Sequence, residues 1–126
     1  MTFHKGFLFK ELSYKVIGAC FKVHSALGCA LPEHCYNRAL VYEFERLGIP
    51  CSNQVHFPVL YNDLDVGVFY TDLIIDSKII LELKSADKLI SNHFAQLFTY
   101  LRVTKLKVGY LVNFGTRSLQ YKRLIL

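Results

Sequence analysis

The chain has 126 residues, of which 52% are hydrophobic, and its formal net charge is +5 at pH 7. This length suits one globular domain over residues 1–126 with a single core, and the absence of a run of about 18 apolar residues argues against a transmembrane helix. The N-terminal residues MTFHKGFLFKELSYK contain no small-residue cleavage site, so we expect no signal peptide, no membrane association and a cytoplasmic location.

Basic residues dominate the last third of the chain. Asp87 is the last acidic residue, and only Lys and Arg carry charge after it. Such a charge distribution attracts polyanions through phosphate neutralisation and counterion release, although a solvated basic face on an ordinary small protein is the alternative. The basic residues concerned are Lys88, Arg102, Lys105, Lys107, Arg117, Lys122 and Arg123.

The four cysteines form no CxxC pair, and without an export signal we interpret them as reduced thiols. A zinc site built from Cys29, Cys35 and either His24 or His34 would have a spacing that matches no usual ligand pattern. Burial is therefore the better explanation for Cys20, Cys29, Cys35 and Cys51.

Two amphipathic helices are predicted first. From Glu11 to Leu27, apolar residues recur at three- and four-residue spacings, as one face of a helix requires. LGCALP interrupts this pattern, and Pro32 suits the first turn of a second helix because its missing N–H is not needed there. The second helix continues through EHCYNRALVYEFER and stops at Gly48.

A β-meander, a third helix and two more strands are predicted next. SNQVHFPVLY, DVGVFYTDLII and IILELK are rich in branched and aromatic residues and are separated by short polar turns, which indicates three antiparallel strands. Residues 91–104 return to helical spacing, and KVGYLVNF and LQYKRLIL are predicted strands. The order α-α-β-β-β-α-β-β indicates an α/β or α+β fold with a mixed sheet covered by helices. The predicted apolar face of the third helix consists of Phe94, Leu97, Phe98 and Leu101.

The hairpin IIDSKIILELK ends in two charged residues, Glu82 and Lys84. If its loop has the three residues 76–78, then Ile75 lies opposite Ile79 and Asp72 lies opposite Glu82. Opposed residues have Cβ atoms roughly 4.5 to 5.5 Å apart, and carboxylates that close repel each other unless a proton or a cation lies between them. We therefore expect a divalent metal ion at this pair, with Lys84 on the same face.

Two alternatives to this site are open from spacing alone. A two-residue loop would place Asp72 opposite Leu81 and the acids on opposite faces of the hairpin. With the three-residue loop, Glu82 and Lys84 could form an ion pair at a strand end while Asp72 is solvated. The three-residue register also predicts a second, core-facing set of side chains, namely Leu73, Ile75, Leu81 and Leu83.

These residues resemble a known nuclease family. An acid followed by a hairpin and Glu-x-Lys, here Asp72 and Glu82-Leu83-Lys84, resembles the PD-(D/E)XK nuclease superfamily, and the chain looks like the small bacterial GxxExxY family within it. YKVIGACFKVHSALG resembles that family's first helix, ALPEHCY its name-giving motif, YTDLIIDSKIILELKS its metal hairpin and HFAQLFTYL the following helix. The resemblance implies a restriction-endonuclease-like core, with a central mixed sheet flanked by helices.

The sequence departs from the family pattern at two places. Ala30 stands where the GxxExxY motif has its glycine, although Glu33 and Tyr36 are in place. Tyr70 and Thr71 precede Asp72 where the superfamily has a proline. The exchange of glycine for alanine matters only if that position needs a positive φ.

The resemblance also implies the metal ligands. Asp72 and Glu82 would hold Mg²⁺ or Mn²⁺, with the main-chain carbonyl of Leu83 as a further ligand, since hard cations prefer oxygen. Glu33 matches the helical glutamate that reaches the metal in related nucleases. Without the resemblance, Glu33 is explained by the favourable interaction of an acid with the dipole at a helix N-terminus.

Lys84 and Gln96 complete the site that the resemblance implies. Lys84 would orient or help to deprotonate the attacking water and offset charge on the phosphate, and Gln96 would join it from the following helix. His93 and Tyr100 share a helical stripe with Gln96, which could line a substrate groove or be the solvated side. His24 is expected to be a semi-buried histidine with a satisfied hydrogen bond.

Three functions follow from these features. The first is a metal-dependent nuclease that hydrolyses DNA, and the second is a nuclease-like module that binds nucleic acid or protein without cleavage. The third is a basic interaction module that assembles by burying Phe3, Phe7 and Phe9 against another chain. A homodimer or a protein partner would fit the small surface beyond the core, and no recognition-helix or zinc-finger signature predicts base-specific contacts.

Overall fold

The computed structural model describes residues 7–126, which form three helices and five strands. The helices are Lys10–Leu27 (α1), Glu33–Arg46 (α2) and Ser91–Thr104 (α3), and the strands are Cys51–Tyr61 (β1), Leu64–Ile75 (β2), Ile79–Lys84 (β3), Val108–Asn113 (β4) and Gln120–Ile125 (β5). The predicted order of elements is confirmed. Pro32 lies immediately before α2 rather than in its first turn, with an extended backbone (φ −64°, ψ 156°).

The five strands form one mixed sheet in the order β1-β2-β3-β4-β5. β1, β2 and β3 are the predicted antiparallel meander. β3 and β4 are parallel and connected through α3, while β5 is antiparallel to β4. A parallel pair needs a crossover of this kind, so the α3 connection explains why the sheet is mixed, as predicted.

The sheet is covered by helices on both faces. α1 and α2 pack on one face around Leu73, Ile75, Leu81 and Leu83, which confirms the predicted core-facing set. α3 packs on the other face, where Leu97 and Leu101 contact residues such as Ile80. Alternate residues of one strand thus serve different layers.

The predicted apolar face of α3 is partly wrong. Leu97 and Leu101 are buried and Phe94 packs against them, but Phe98 is 36% exposed. The contact with the sheet is centred on Leu97 and Leu101, and Phe98 lies at its margin because one helix covers this side of the sheet.

The β1–β2 hairpin extends beyond the sheet as a two-stranded ribbon. β2 pairs with β1 along most of its length, from Leu64 to Ile75, but pairs with β3 only through Leu73, Ile74 and Ile75. The inner side of the ribbon is fixed on α3 because Phe69 stacks on Tyr100, with ring centroids 4.4 Å apart. The ribbon also exposes large apolar side chains, including Leu60, Tyr61, Leu64, Val66, Val68 and Tyr70.

Other predictions concern the chain termini, the cysteines and membranes. Phe3 lies outside the described residues, Phe7 is 47% exposed and Phe9 packs against the α1–α2 side of the core. Cys20 is buried, and Cys29, Cys35 and Cys51 are half-buried free thiols. Within residues 7–126, no helix has the length and hydrophobicity that crossing a bilayer requires.

Candidate active site

The turn between β2 and β3 sets the register of the site. β2 ends at Ile75 and β3 begins at Ile79, so the loop has three residues, as predicted. Asp76 and Ser77 adopt left-handed conformations with φ of 53° and 54°, which are conformations that aspartate tolerates in turns. Leu73 pairs with Leu81, and Asp72 is therefore opposite Glu82. The two-residue loop is excluded.

Asp72 and Glu82 are joined by crossed hydrogen bonds. The Asp72 N–H donates to Glu82 Oε1 at 3.0 Å, and the Leu83 N–H donates to Asp72 Oδ2 at 2.8 Å. Each carboxylate thus accepts a hydrogen bond from the backbone of the opposite strand, at the point where β2 and β3 separate. These bonds hold the two acids side by side.

Burial makes the acid pair electrostatically unusual. Glu82 is only 4% exposed, and burial, together with the negative charge of Asp72, raises its pKa to about 9. Lys84 opposes this effect without cancelling it. Because a buried carboxylate beside another acid favours its neutral form, Glu82 is protonated at neutral pH in the metal-free protein, and a cation placed between the acids would release that proton.

The Leu83 main chain faces the same side as the acids. Its N–H donates to Asp72, and the N–H and C=O of a strand residue point toward the same neighbouring strand. The Leu83 carbonyl is therefore directed toward Asp72, while the Leu83 side chain is buried in the core on the α1–α2 face. The site thus offers two carboxylates and one carbonyl as oxygen ligands. This set fits Mg²⁺, which binds oxygen and usually takes one or two carboxylates from a protein.

Lys84 contacts α3 and not Glu82. Its Nζ donates to Gln96 Oε1 at 3.1 Å, and within residues 7–126 no ion pair joins Lys84 to an acid. The alternative in which Glu82 and Lys84 form an ion pair is therefore wrong.

Glu33 lies at the entrance to the site. It is the first residue of α2, is exposed, and lines a cleft of about 510 Å³ together with Asp72 and Leu83. Its side chain does not join the acid pair, since no group of three or more His, Cys, Asp or Glu residues within 7–126 is arranged to hold a metal ion. The structure thus brings Glu33 to the cleft but not to the carboxylates themselves.

Three further predicted residues have defined environments. His93 Nδ1 accepts a hydrogen bond from the Ile90 N–H at 3.1 Å, and burial and the charge of Lys84 lower the His93 pKa. Burial and the negative charges of the two acids raise the pKa of Tyr100, so His93 and Tyr100 both lie beside the site. His24 is buried and its Nε2 lies 2.8 Å from the Thr116 carbonyl oxygen, as predicted.

Asn113 supports the site and was missed by the sequence reasoning. Its amide accepts a hydrogen bond from the Ala86 N–H and donates one to the Ala86 carbonyl, both at 3.0 Å. A Cβ at Gly115 would collide with the backbone of Ala86, so these segments approach closely. The available signal was a polar residue, followed two positions later by glycine, at the end of an otherwise apolar strand.

The sequence profile of the PD-(D/E)XK nuclease superfamily matches residues 10–124, a range that includes every site residue described above. The chain therefore belongs to the PD-(D/E)XK nuclease superfamily, whose members are nucleases that generally use divalent metal ions. The mixed sheet and its flanking helices agree with that fold. Comparisons with curated proteins and with solved structures gave no match.

Ala30, at the position where the GxxExxY motif has a glycine, needs no backbone conformation that only glycine tolerates. Ala30 is not among the described residues with positive φ, so its Cβ meets no backbone strain. Tyr36 is fully buried. The loop before α2 therefore accommodates this departure from the GxxExxY pattern.

Proposed function

We propose that this chain is a Mg²⁺- or Mn²⁺-dependent nuclease of the GxxExxY type that hydrolyses phosphodiester bonds of DNA. The observation that carries the proposal is that Asp72 and Glu82 lie side by side where β2 and β3 separate, each accepting a hydrogen bond from the backbone of the opposite strand. Superfamily membership supports nuclease chemistry, and the net charge of +5 with a basic last third supports a polyanionic substrate.

Asp72, Glu82 and the Leu83 carbonyl are the groups that would hold the metal ion. When bound, such an ion lowers the pKa of a coordinated water and neutralises charge on the scissile phosphate. Glu82, whose pKa is raised by burial and by the negative charge of Asp72, would release its proton on binding a metal ion, because a carboxylate ligand must be deprotonated. Its burial also keeps bulk water away from the pair, which strengthens the electrostatic interactions there.

Lys84 and Gln96 would act on the substrate side of the site. The Lys84 ammonium, held by the Gln96 amide at 3.1 Å, would stabilise negative charge that develops on the phosphate and help to orient the attacking water. Gln96 fixes the long Lys84 side chain so that less rotamer freedom is lost when substrate binds. Gln96 is therefore a positioning residue, and Lys84 is the catalytic cation.

Glu33 is proposed as a third acid of the site. It faces the cleft that Asp72 and Leu83 also line, so it can reach a metal ion or its bound water from the α2 side. Because it is exposed and separate from the buried pair, replacing it should weaken activity less than replacing Asp72 or Glu82.

The test is DNA cleavage by wild type and Asp72→Asn. Supercoiled, linear and single-stranded DNA are incubated with Mg²⁺, Mn²⁺ or EDTA. Asp76→Asn is a matched control, since Asp76 lies in the same hairpin and its partner is Lys78 in the turn. We expect metal-dependent cleavage by wild type and Asp76→Asn and none by Asp72→Asn. Equal cleavage by all three would contradict the assignment, and DNA binding without cleavage would favour the binding module.

A further inference from the structure

The turn that leads into Glu33 is held from two sides at Leu31. The Leu31 N–H donates to the Tyr36 hydroxyl at 3.2 Å, and the Leu31 carbonyl accepts a hydrogen bond from Ser85 Oγ at 3.0 Å. The Tyr36 hydroxyl in turn donates to the Gly28 carbonyl at 2.6 Å. One side-chain hydroxyl thus bridges the start and the end of the loop that connects α1 with α2.

The residues that contact Leu31 are also linked to the backbone of Lys84. The Tyr36 ring is buried and stacks on Phe114, with centroids 4.6 Å apart and planes 20° from parallel. The Phe114 N–H donates to the Lys84 carbonyl at 2.8 Å, and Ser85 directly follows Lys84 in the chain. Both contacts on Leu31 are therefore anchored in the backbone that carries Lys84.

We propose that Tyr36 is a positioning residue that sets the place of Glu33 relative to the metal-binding acids and Lys84, a role that rests on the nuclease function proposed above. Glu33 is exposed, so the position of its carboxylate depends on the turn that precedes it. Tyr36 and Ser85 act as a two-sided clamp on Leu31, two residues before Glu33. Loss of either hydroxyl frees one backbone group of Leu31 and loosens that turn.

Hydrogen exchange tests the clamp without metal or DNA. Tyr36→Phe keeps the ring on Phe114 and removes the hydroxyl, so the Leu31 amide should exchange about fivefold faster, the factor that corresponds to one hydrogen bond. The Leu47 amide is the internal reference, because it donates to the Glu43 carbonyl at 3.0 Å at the far end of α2. Tyr42→Phe is the matched control, since Tyr42 is 61% exposed on the same helix. Unchanged relative exchange of Leu31 would overturn the clamp.

A double-mutant cycle tests whether the clamp acts through Glu33. The Mg²⁺ concentration that gives half of the maximal thermal stabilisation is measured for wild type, Tyr36→Phe, Glu33→Gln and the double variant. We expect Tyr36→Phe to raise this concentration about fivefold in the wild-type background and to leave it unchanged in the Glu33→Gln background. A purely structural role would lower the melting temperature without moving the Mg²⁺ midpoint, and that result would overturn the positioning role.

The wild-type measurements separate the two proposals. If wild type cleaves DNA and is stabilised by Mg²⁺ but Tyr36→Phe has an unchanged Mg²⁺ midpoint, the positioning role of Tyr36 is wrong and the nuclease function is not affected. If wild type showed neither Mg²⁺ stabilisation nor cleavage, the proposed nuclease function would be wrong and the positioning role would fall with it, whatever the exchange of Leu31.

Discussion

Replacing Glu82 by glutamine should make the metal-free protein more stable at neutral and alkaline pH. Folding raises the pKa of Glu82 from 4.5 to about 9. The folded state therefore keeps a proton on Glu82 over a pH range in which the unfolded state has released it. Stability from this group is present below the unfolded pKa and is lost as pH rises toward 9. Glutamine keeps the shape and an acceptor for the Asp72 N–H but cannot ionise.

The size of the expected stability difference follows from the shift in the pKa of Glu82. Each pH unit between the two pKa values changes the free energy of unfolding by about 1.4 kcal/mol. Between pH 5 and pH 7 the free energy of unfolding of the wild type should therefore fall by about 3 kcal/mol relative to that of Glu82→Gln. This value is an upper limit, because relaxation and entry of water lower the cost of a buried charge. At pH 4 the two proteins should be of similar stability.

The assay is urea denaturation in EDTA at pH 4, 5, 6, 7 and 8 for wild type and Glu82→Gln. Glu45→Gln is the control, since Glu45 is exposed on α2; it should follow the wild-type curve. Parallel pH dependences of wild type and Glu82→Gln would refute the argument that burial and Asp72 keep Glu82 protonated.

Four other substitutions test three separate parts of the structure. Lys84→Ala should lose turnover while retaining Mg²⁺-dependent thermal stabilisation, because Lys84 binds Gln96 and not the acids; loss of both would contradict its role. Leu97→Ala should cost about 2–5 kcal/mol in urea denaturation, since Leu97 is fully buried, whereas Phe98→Ala should cost clearly less. Gly115→Ala should destabilise the fold by about 1–3 kcal/mol through its collision with Ala86; a neutral effect would show that the two segments can separate.

The hairpin was predictable because its determinants are local. Turn-forming residues located the loop but left its length open between two and three residues. Once the structure placed Ile75 opposite Ile79, the period of two placed Asp72 beside Glu82 and directed Leu81 into the core. The helices were predictable for a similar reason, since each has an apolar stripe of helical period. Both kinds of signal are contained within a few residues of sequence.

The partners of the site residues depend on how elements pack, which local periodicity does not encode. The Lys84 ammonium contacts Gln96, twelve residues away, because α3 crosses the end of β3. Glu33 reaches the cleft but not the acid pair, because its position is set by where α2 packs on the sheet. Asn113 could not be assigned a role from the sequence because its partner, Ala86, lies 27 residues away, in the segment between β3 and α3.

The number of protons released when Mg²⁺ binds is the most direct test of a metal site at Asp72 and Glu82. Calorimetric titration of wild type at pH 7 in buffers of different ionisation enthalpy measures this number. We expect release of about one proton per metal ion, from Glu82, because metal ligands must be deprotonated and the raised pKa of Glu82 keeps it protonated at this pH. Glu82→Gln should release none. Mg²⁺ binding by wild type without proton release, or equal release by Glu82→Gln, would contradict a metal site at Asp72 and Glu82.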